Sequence, residues 1–239
     1  MDIKAILFDK DGTLIDFDAT FLPATARVLD ALAAGDEALK QRLAEAAEFN
    51  IDTTTLADTS VLIAGSLDDI ADVWLTAGAQ GPKAQLIQRI DALYREHTTA
   101  TVTAFPFLVP TLQALAARGI ALGIATNDSE QAARQHMDAL GLAGQFSAIF
   151  GFDSGHGAKP GPGMVRAFAD AMDLPVGQIA MVGDSLHDCL AGRAAGAMAI
   201  GVASGHNDRT TLQPHCDHAV DDISALPALI DTIRETYPT

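Results

Sequence analysis

The sequence predicts an α/β protein with a parallel sheet, helices on both faces of the sheet, and an inserted all-helical domain. Short apolar runs alternate with helical patterns along most of the chain, which is typical of strands joined by crossover helices. Polar residues and glycines follow directly after several apolar runs, where the loops of such a sheet begin. One long segment, residues 16–103, breaks the alternation because it contains helical patterns and no convincing strand.

The first strand is predicted over Ile3 to Phe8, a short apolar run that stops at an Asp-Lys-Asp-Gly turn. The inserted segment then shows helical patterns near residues 19–34, 36–49, 67–78 and 83–97. Pro106 marks the return to the sheet, because proline biases the residue before it out of helix. We therefore expect a core domain made of residues 1–15 and 104–239, and an inserted helical domain made of residues 16–103.

The core resumes the alternation of helices and strands. Residues 107–118 form a helical pattern that ends at Gly119, and residues 120–125 are predicted as a second buried strand. The remaining elements are helix 129–140, strand 148–151, helix 162–172, strand 178–182, helix 186–195, strand 197–202, strand 217–220 and helix 223–236. Because such connections make right-handed crossovers, they predict a Rossmann-like parallel sheet with helices on both faces.

The composition of the 239-residue chain is that of a globular protein, with 49% hydrophobic and 19% charged residues. A formal net charge of −16 repels nucleic acid backbones and anionic membranes, so neither is an expected partner. No apolar run reaches the roughly 18 residues of a membrane span, and no secretory pattern stands at the N-terminus. Cys189 and Cys216 are compatible with a single bridge, but a reduced pair in a cytoplasmic protein is the favoured interpretation.

Polar groups follow four of the predicted strands. They are Asp9-Lys10-Asp11-Gly12-Thr13, Thr126-Asn127-Asp128, Lys159-Pro160, and Gly183-Asp184-Ser185 with Asp188 one helical turn later. The carboxyl ends of parallel strands meet at one edge of a sheet, where active sites form. We therefore expect these groups to converge although they are far apart in sequence.

The carboxylates in this set predict a metal site. Asp9 and Asp11 alternate on an extended segment, so both point to the same side and cannot both ionise easily without a cation. Asp184 and Asp188 add further oxygen ligands. Mg²⁺ takes oxygen ligands and often binds through one or two carboxylates together with a substrate phosphate.

The remaining groups suit a phosphate. Lys159 would place a point charge on phosphoryl oxygens, and the Thr126 hydroxyl would add a neutral hydrogen-bond donor. Backbone N–H groups of residues 10–12 could serve in the same way, and Gly12 would let the backbone approach closely.

In order and position, these motifs resemble the four motifs of the haloacid dehalogenase-like superfamily. The resemblance rests on Asp9-Lys10-Asp11-Gly12-Thr13-Leu14, Thr126, Lys159 and Gly183-Asp184-Ser185-Leu186-His187-Asp188. It covers essentially the whole core. The helical insert is similar to the mobile cap of the subfamily that contains phosphoglycolate phosphatases and sugar-phosphate mutases.

The resemblance implies a role for each motif residue. Asp9 would be the nucleophile that forms a phosphoaspartyl intermediate, and Asp11 would protonate the leaving oxygen and then activate water. The set that would hold Mg²⁺ is Asp9, the Asp11 carbonyl, Asp184 and, directly or through water, Asp188. The set that would hold the phosphate is Thr126, Asn127 and Lys159. The implied substrate is a small phosphorylated metabolite, phosphoglycolate-like or a sugar phosphate, bound by a monomer or homodimer.

Substrate choice is expected to depend on the insert, which has six lysines and arginines against 14 acidic residues. Among its basic residues, Arg95 and His97 are the candidates for contacting an acidic leaving group. Two positions depart from the family pattern. Lys10 replaces the apolar residue often found between the two aspartates, and we expect it to point away from the site. Phe107 stands where relatives often have glycine, so the hinge there is expected to differ.

Four functions remain compatible with the motifs to different degrees. A phosphatase fits all of them, and a sugar-phosphate mutase would use the same Asp9 and Asp11. A dehalogenase would not need the second acid, so Asp11 argues against it. A non-catalytic protein that binds a phosphorylated metabolite would be expected to lack a core residue, and none is missing.

Overall fold

The computed structural model describes residues 2–57 and 59–236 and contains one large sheet and one small one. The strands in chain order are β1 Ala5–Phe8, β2 Phe49–Asn50, β3 Thr55–Leu56, β4 Ala121–Ala125, β5 Ala148–Phe150, β6 Ile179–Gly183, β7 Met198–Val202 and β8 His218–Val220. The helices are α1 Phe17–Ala33, α2 Glu37–Ala46, α3 Val61–Ala64, α4 Leu67–Thr76, α5 Lys83–Thr98, α6 Leu108–Ala116, α7 Glu130–Ala139, α8 Gly163–Met172, α9 Leu186–Ala195, α10 Arg209–Leu212 and α11 Leu226–Thr236.

The large sheet has six strands in the order β5-β4-β1-β6-β7-β8, and all neighbouring strands are parallel. β1 is central and lies between β4 and β6, which are reached by connections running in opposite directions from it. In open α/β sheets such a switch of direction leaves a crevice at the carboxyl ends of the strands. Asp9 and Asp11 leave β1 at this crevice.

Helices cover both faces of the sheet, as the sequence predicts. Side chains alternate along β1, so Ile6 and Phe8 pack in one cluster with residues of α6, α7 and α11. Ala5 and Leu7 pack in a second cluster with residues of α8 and α9. All four of these β1 side chains are fully buried. The fold class is confirmed, and the predicted core elements agree with the observed ones to within a few residues.

The segment between β1 and α6 has its own hydrophobic cluster, built from residues of α1, α2, α4 and α5. Trp74 is fully buried in this cluster, and its indole N–H donates to the Leu43 carbonyl at 3.1 Å. The indole therefore has its polar atom satisfied within an apolar environment. None of the described helices has both the length and the apolar character needed to cross a membrane.

The insert is not all-helical, which corrects the expectation of no strand. Phe49 pairs with Leu56 and Asn50 with Thr55 in a short antiparallel hairpin, β2–β3. The side chain of Asn50 accepts a hydrogen bond from the Thr53 N–H at 3.0 Å and closes the turn. Two-residue strands are too short to show any hydrophobic period, so a pattern search cannot find them.

The cysteines also differ from expectation. Cys189 on α9 and Cys216, beyond α10, form a disulfide, so the prediction of a reduced pair is wrong for this structure. Both side chains are buried in a small cluster with Ala199 and Leu212. The two cysteines are separated by 27 positions in sequence, which does not reveal their proximity, because it depends on how α9 and α10 pack against β7.

Candidate active site

Six of the sequence-predicted site residues line one cavity at the carboxyl end of the sheet. They are Asp9, Asp11, Thr126, Asn127, Lys159 and Asp184. They come from the segments that follow β1, β4, β5 and β6, so the expected convergence is observed. Asp188 is buried beside the cavity and contacts Lys159.

Lys159 connects two of the carboxylates. Its ammonium donates to Asp9 Oδ1 and to Asp188 Oδ1, the second bond at 2.7 Å, and all three side chains are buried. Burial raises the pKa of Asp9 to about 7, an increase that the Lys159 charge opposes and the Asp188 and Asp11 charges reinforce. The pKa of Lys159 lies above its ordinary value: burial lowers it, and the Asp188 and Asp9 charges more than compensate. The lysine therefore stays charged at neutral pH.

The carboxylates of Asp9, Asp184 and Asp188 can each present an oxygen such that the three oxygens lie within 4.8 Å of one another. Burial and the charges of Asp9 and Asp188 raise the pKa of Asp184 well above its ordinary value. Three buried carboxylates with one lysine among them have a surplus of negative charge, which a hard divalent cation would neutralise. The donor set consists of oxygens only, and it fits Mg²⁺.

Two glycines allow the backbone to approach Asp184 closely. A Cβ atom on Gly12, which has a φ of +81°, would lie 2.5 Å from Asp184 Oδ2. A Cβ atom on Gly205 would lie 1.9 Å from the same oxygen. Ser204 donates to the Gly12 carbonyl at 2.7 Å, so the loop after β7 is tied to the turn after β1. Neither Ser204 nor Gly205 was identified from the sequence.

Asp11 is held by the lysine that precedes it. The Lys10 ammonium donates to Asp11 Oδ1 at 2.6 Å and to Asp128 Oδ2 at 3.1 Å, and the Lys10 side chain is fully buried. Burial raises the pKa of Asp11, and Lys10 partly counteracts this increase. Thr126 Oγ1 donates to the other Asp11 oxygen at 3.4 Å. Lys10 is not among the described residues that line the cavity, in agreement with the expectation that it points away, but its flexible chain brings the ammonium to the carboxylate of the neighbouring Asp11.

The network of Lys10 continues into the insert. Burial and the nearby Lys10 charge lower the pKa of His136 to about 3, so its imidazole is neutral. Since Lys10 can only donate, His136 Nδ1 accepts from it at 3.1 Å, and Nε2 donates to Thr98 Oγ1 at 2.6 Å. Thr98, at the end of α5, donates in turn to the Tyr94 carbonyl at 2.8 Å.

Asn127 and Asp188 orient other site residues. The Asn127 side-chain amide donates to the Lys159 carbonyl at 3.0 Å and accepts from the Lys159 N–H at 2.8 Å. Asp188 Oδ2 accepts from the Ser185 N–H and hydroxyl in a capping box at the start of α9. These bonds fix the backbone of Lys159 and the carboxylate that holds its ammonium. The phosphate and metal contacts of Asn127 and Asp188 stay predictions.

The core also contributes Asp128, Ser185 and His187 to the cavity lining, and the insert supplies the rest. Arg95 and His97 are not among the described lining residues. Arg95 on α5 donates instead to Asp91 Oδ2 at 2.8 Å. The lining contributed by the insert is mostly apolar and includes Phe17, Phe21, Leu62, Ile63 and Tyr94. The sequence predicted basic residues of the insert at this position, and this apolar surface was not predicted.

Comparison with known proteins agrees with this geometry. The model of the family described as "haloacid dehalogenase-like hydrolase" matches residues 3–196. A phosphoglycolate phosphatase from Neisseria meningitidis is 29% identical over 237 residues, covering 98% of this chain and 92% of the relative. A phosphoglycolate phosphatase from Yersinia pseudotuberculosis is 32% identical over 240 residues, covering 96% of each chain.

A solved structure shows the same fold. It is described as a predicted phosphoglycolate phosphatase from Haemophilus somnus and superposes with a TM-score of 0.73 at 22% identity, covering 96% of this chain and 98% of the other. The matched sequence includes all four motifs, and the structure brings those motifs to one edge of the sheet. This chain therefore belongs to the haloacid dehalogenase-like hydrolase family and is related to its phosphoglycolate phosphatases.

Proposed function

We propose that this hydrolase is a Mg²⁺-dependent phosphatase that hydrolyses a small phosphorylated metabolite through a phosphoaspartyl intermediate on Asp9. One observation carries the proposal. Asp9 lies at the end of the central strand, bonded to a buried lysine and grouped with two further buried carboxylates. This arrangement supports the proposal, because a carboxylate that could attack phosphorus lies beside a cation that could hold the phosphate and oxygens that could bind a metal.

In the first step, Asp9 attacks phosphorus and the bond between phosphorus and the leaving oxygen breaks. Asp11 donates its proton to that oxygen, which departs as an alcohol. The raised pKa of Asp11 supports this role, because the Asp11 carboxyl then keeps its proton at a higher pH than an ordinary aspartate does. Lys159 and the Thr126 hydroxyl would donate to the phosphoryl oxygens and stabilise the charge on them.

In the second step, Asp11 takes a proton from a water molecule, and this water attacks the phosphorus of the phosphoaspartate. Inorganic phosphate leaves and Asp9 is restored. Asp9, Asp184, Asp188 and the Asp11 carbonyl would hold Mg²⁺, which neutralises charge between the anionic nucleophile and the phosphate. Asn127 would keep Lys159 in position through its two bonds to the Lys159 backbone.

We further propose that residues 16–103 act as a cap over a core of residues 1–15 and 104–239. The chain leaves and re-enters the core at adjacent points, because the Asp16 N–H donates to the Thr103 carbonyl at 2.8 Å. The cavity is lined from both sides of this boundary. Closure of such a cap would exclude bulk water while Asp9 attacks.

Release of phosphate tests the proposal. The protein would be assayed with Mg²⁺ over phosphoglycolate, sugar phosphates and nucleotides. Wild type should release phosphate from at least one ester, and Asp9→Asn should lose turnover by at least about a thousandfold, because an amide is a poor nucleophile. Asp18→Asn, a change of an exposed acid outside the cavity lining, is the matched control. Full turnover in Asp9→Asn would refute the mechanism, and conversion of a sugar phosphate to its isomer without phosphate release would favour a mutase.

A further inference from the structure

The part of the cavity beyond the phosphate-binding residues is apolar. α1 contributes Phe17 and Phe21, whose rings stack with centroids 5.0 Å apart, and Tyr94 of α5 lies against Phe21 at 5.9 Å. On α3, Leu62 and Ile63 also line the cavity. A leaving group attached to a phosphate between Asp9 and Lys159 would extend into this space. Most of its surroundings would be hydrocarbon.

The basic side chains of the insert are engaged elsewhere. Lys40 pairs with Asp30, Lys83 with Asp68 and Asp72, and Arg95 with Asp91, while Arg42 and Arg89 donate to the carbonyls of Ala77 and Ala31. Arg27 is exposed on α1. Among the described residues that line the cavity, no lysine or arginine comes from the insert.

The charged residues of the core do not favour a second anion. The Lys159 ammonium is bonded to the carboxylates of Asp9 and Asp188 at the end of the cavity where the phosphate would bind. The Lys10 ammonium lies 5.1 Å from the centre of the Phe21 ring and binds Asp11 and Asp128. Asp128 itself lines the cavity. The core part of the lining also includes Asn127, Ser185 and His187. A carboxylate on the substrate would therefore meet apolar groups, these polar side chains and further carboxylates, and Lys159 is the only lysine or arginine among the described lining residues.

The hydroxyl groups in the lining are neutral. Thr25 Oγ1 donates to the Phe21 carbonyl at 2.9 Å, so in its 3.1 Å contact with Tyr94 the phenol is the donor. Burial raises the pKa of Tyr94, and the phenol stays protonated. The remaining lone pairs of the Tyr94 oxygen could accept a hydrogen bond from a hydroxyl on the substrate, but they would repel a carboxylate.

We infer that the alcohol released by this enzyme is uncharged and largely apolar, with an aryl or alkyl portion, and carries no carboxylate. The inference rests on the proposed phosphatase function and narrows its substrate class. Burying a carboxylate without a partner is strongly unfavourable, whereas each buried methylene improves binding about fourfold. The curated relatives carry the name of an enzyme for phosphoglycolate, whose alcohol bears a carboxylate, so this chain would differ from them in specificity.

Matched esters provide the test. Benzyl phosphate and 4-carboxybenzyl phosphate share a leaving oxygen on the same carbon framework and differ by one carboxylate, and ethyl phosphate and phosphoglycolate form a smaller pair. With wild-type protein and Mg²⁺, kcat/KM should be at least about tenfold higher for the neutral member of each pair. Equal or higher kcat/KM for the carboxylated members would overturn the inference.

A cation placed in the cavity should change this preference. Ile63→Lys puts an ammonium at a half-buried lining position, and Val61→Lys puts one at a half-buried position on the same helix outside the lining. Ile63→Lys should lower the ratio of benzyl to carboxybenzyl kcat/KM by about tenfold or more, and Val61→Lys should leave it unchanged. If the melting curve of Ile63→Lys shows a folded protein and the ratio of kcat/KM values is unchanged, that result would also count against the inference.

The controls separate the two proposals. Hydrolysis that depends on Asp9 but favours the carboxylated esters would refute only the substrate class. If none of the esters released phosphate with Mg²⁺ in wild type or in either lysine variant, the proposed function and the inference that rests on it would both fall.

Discussion

Lys10 and Asp11 are neighbours in sequence, and the ammonium of the first donates to the carboxylate of the second at 2.6 Å inside the protein. Lys10 has no exposed side-chain surface, which is rare for a lysine and requires that its charge be paired. Asp128 provides a second carboxylate partner and the Phe21 ring a cation–π contact. A residue between the two aspartates of the first motif thus acts on one of them directly.

Replacement of this lysine should change both stability and pH dependence. Lys10→Met leaves Asp11 and Asp128 near each other without their cation, so unfolding free energy should fall by about 3 kcal/mol. The pKa of Asp11 should rise further because Lys10 normally lowers it. Because Asp11 must be protonated to act on the leaving oxygen, the alkaline limb of the kcat/KM profile should move to higher pH, and Lys10→Arg should reverse this shift in part. Lys40→Met, which removes an exposed pair with Asp30, should leave the profile unchanged.

The raised pKa of Asp9 predicts how the stability of the metal-free protein depends on pH. Its value is about 7 in the folded protein and near 3.8 in an unfolded chain, so the folded state binds the Asp9 proton more tightly. The contribution of Asp9 to the free energy of unfolding is therefore complete below about pH 4 and is lost as the pH rises toward 7. His136 has the opposite sign, because its folded pKa is lowered to about 3 and its contribution is lost as pH falls below its ordinary value of 6.5.

Asp9→Asn isolates the Asp9 contribution from that of His136. In the absence of Mg²⁺, the melting temperature of the variant relative to wild type should rise between pH 4 and pH 8, by roughly 5 °C or more. Thermal melts across this range measure the difference. A difference that stays constant with pH would mean that Asp9 has an ordinary pKa in the folded protein.

The features that could be predicted from the sequence are those that depend on short local segments. β1, β4 and β6 are continuous apolar runs, and the rule that parallel strands end at one edge was enough to bring Asp9, Asp11, Thr126 and Asp184 together. The same rule places Lys159 at this edge, although it lies further along the chain from the end of β5. These inferences need only local pattern and topology.

The missed features depend on packing. The disulfide joins α9 to the region after α10, which are brought together only by packing. To predict the apolar cavity wall, one would have to know which faces of α1 and α5 meet the core. Gly205 is different, since it follows β7 by three residues. Reading the residues after β7 as well as those after the earlier strands would have placed Ser204 and Gly205 at the site.

Mg²⁺ should stabilise the protein more at high pH than at low pH. Binding of a cation requires ionised Asp9 and Asp184, and burial raises the pKa of both. At a Mg²⁺ concentration 100 times the dissociation constant, stability should increase by about 2.7 kcal/mol. Melting curves with and without Mg²⁺ at pH 5 and pH 8 test this, and Asp184→Asn should abolish most of the pH 8 shift. A larger shift at pH 5 would contradict the assignment of these carboxylates.

Gly205 should be required for metal binding although it has no side chain to contribute. Gly205→Ala places a methyl group 1.9 Å from Asp184 Oδ2, so the carboxylate or the loop after β7 must shift. We expect the Mg²⁺ concentration for half-maximal activity to rise by about tenfold, because supporting groups around metal ligands typically change affinity by 10–100-fold. Gly177→Ala is the matched control, since its added Cβ would have no atom within 4 Å. Isothermal titration with Mg²⁺ separates weaker metal binding from slower chemistry. If Gly205→Ala bound Mg²⁺ as tightly as the control, close approach of this loop to Asp184 would have no part in holding the cation.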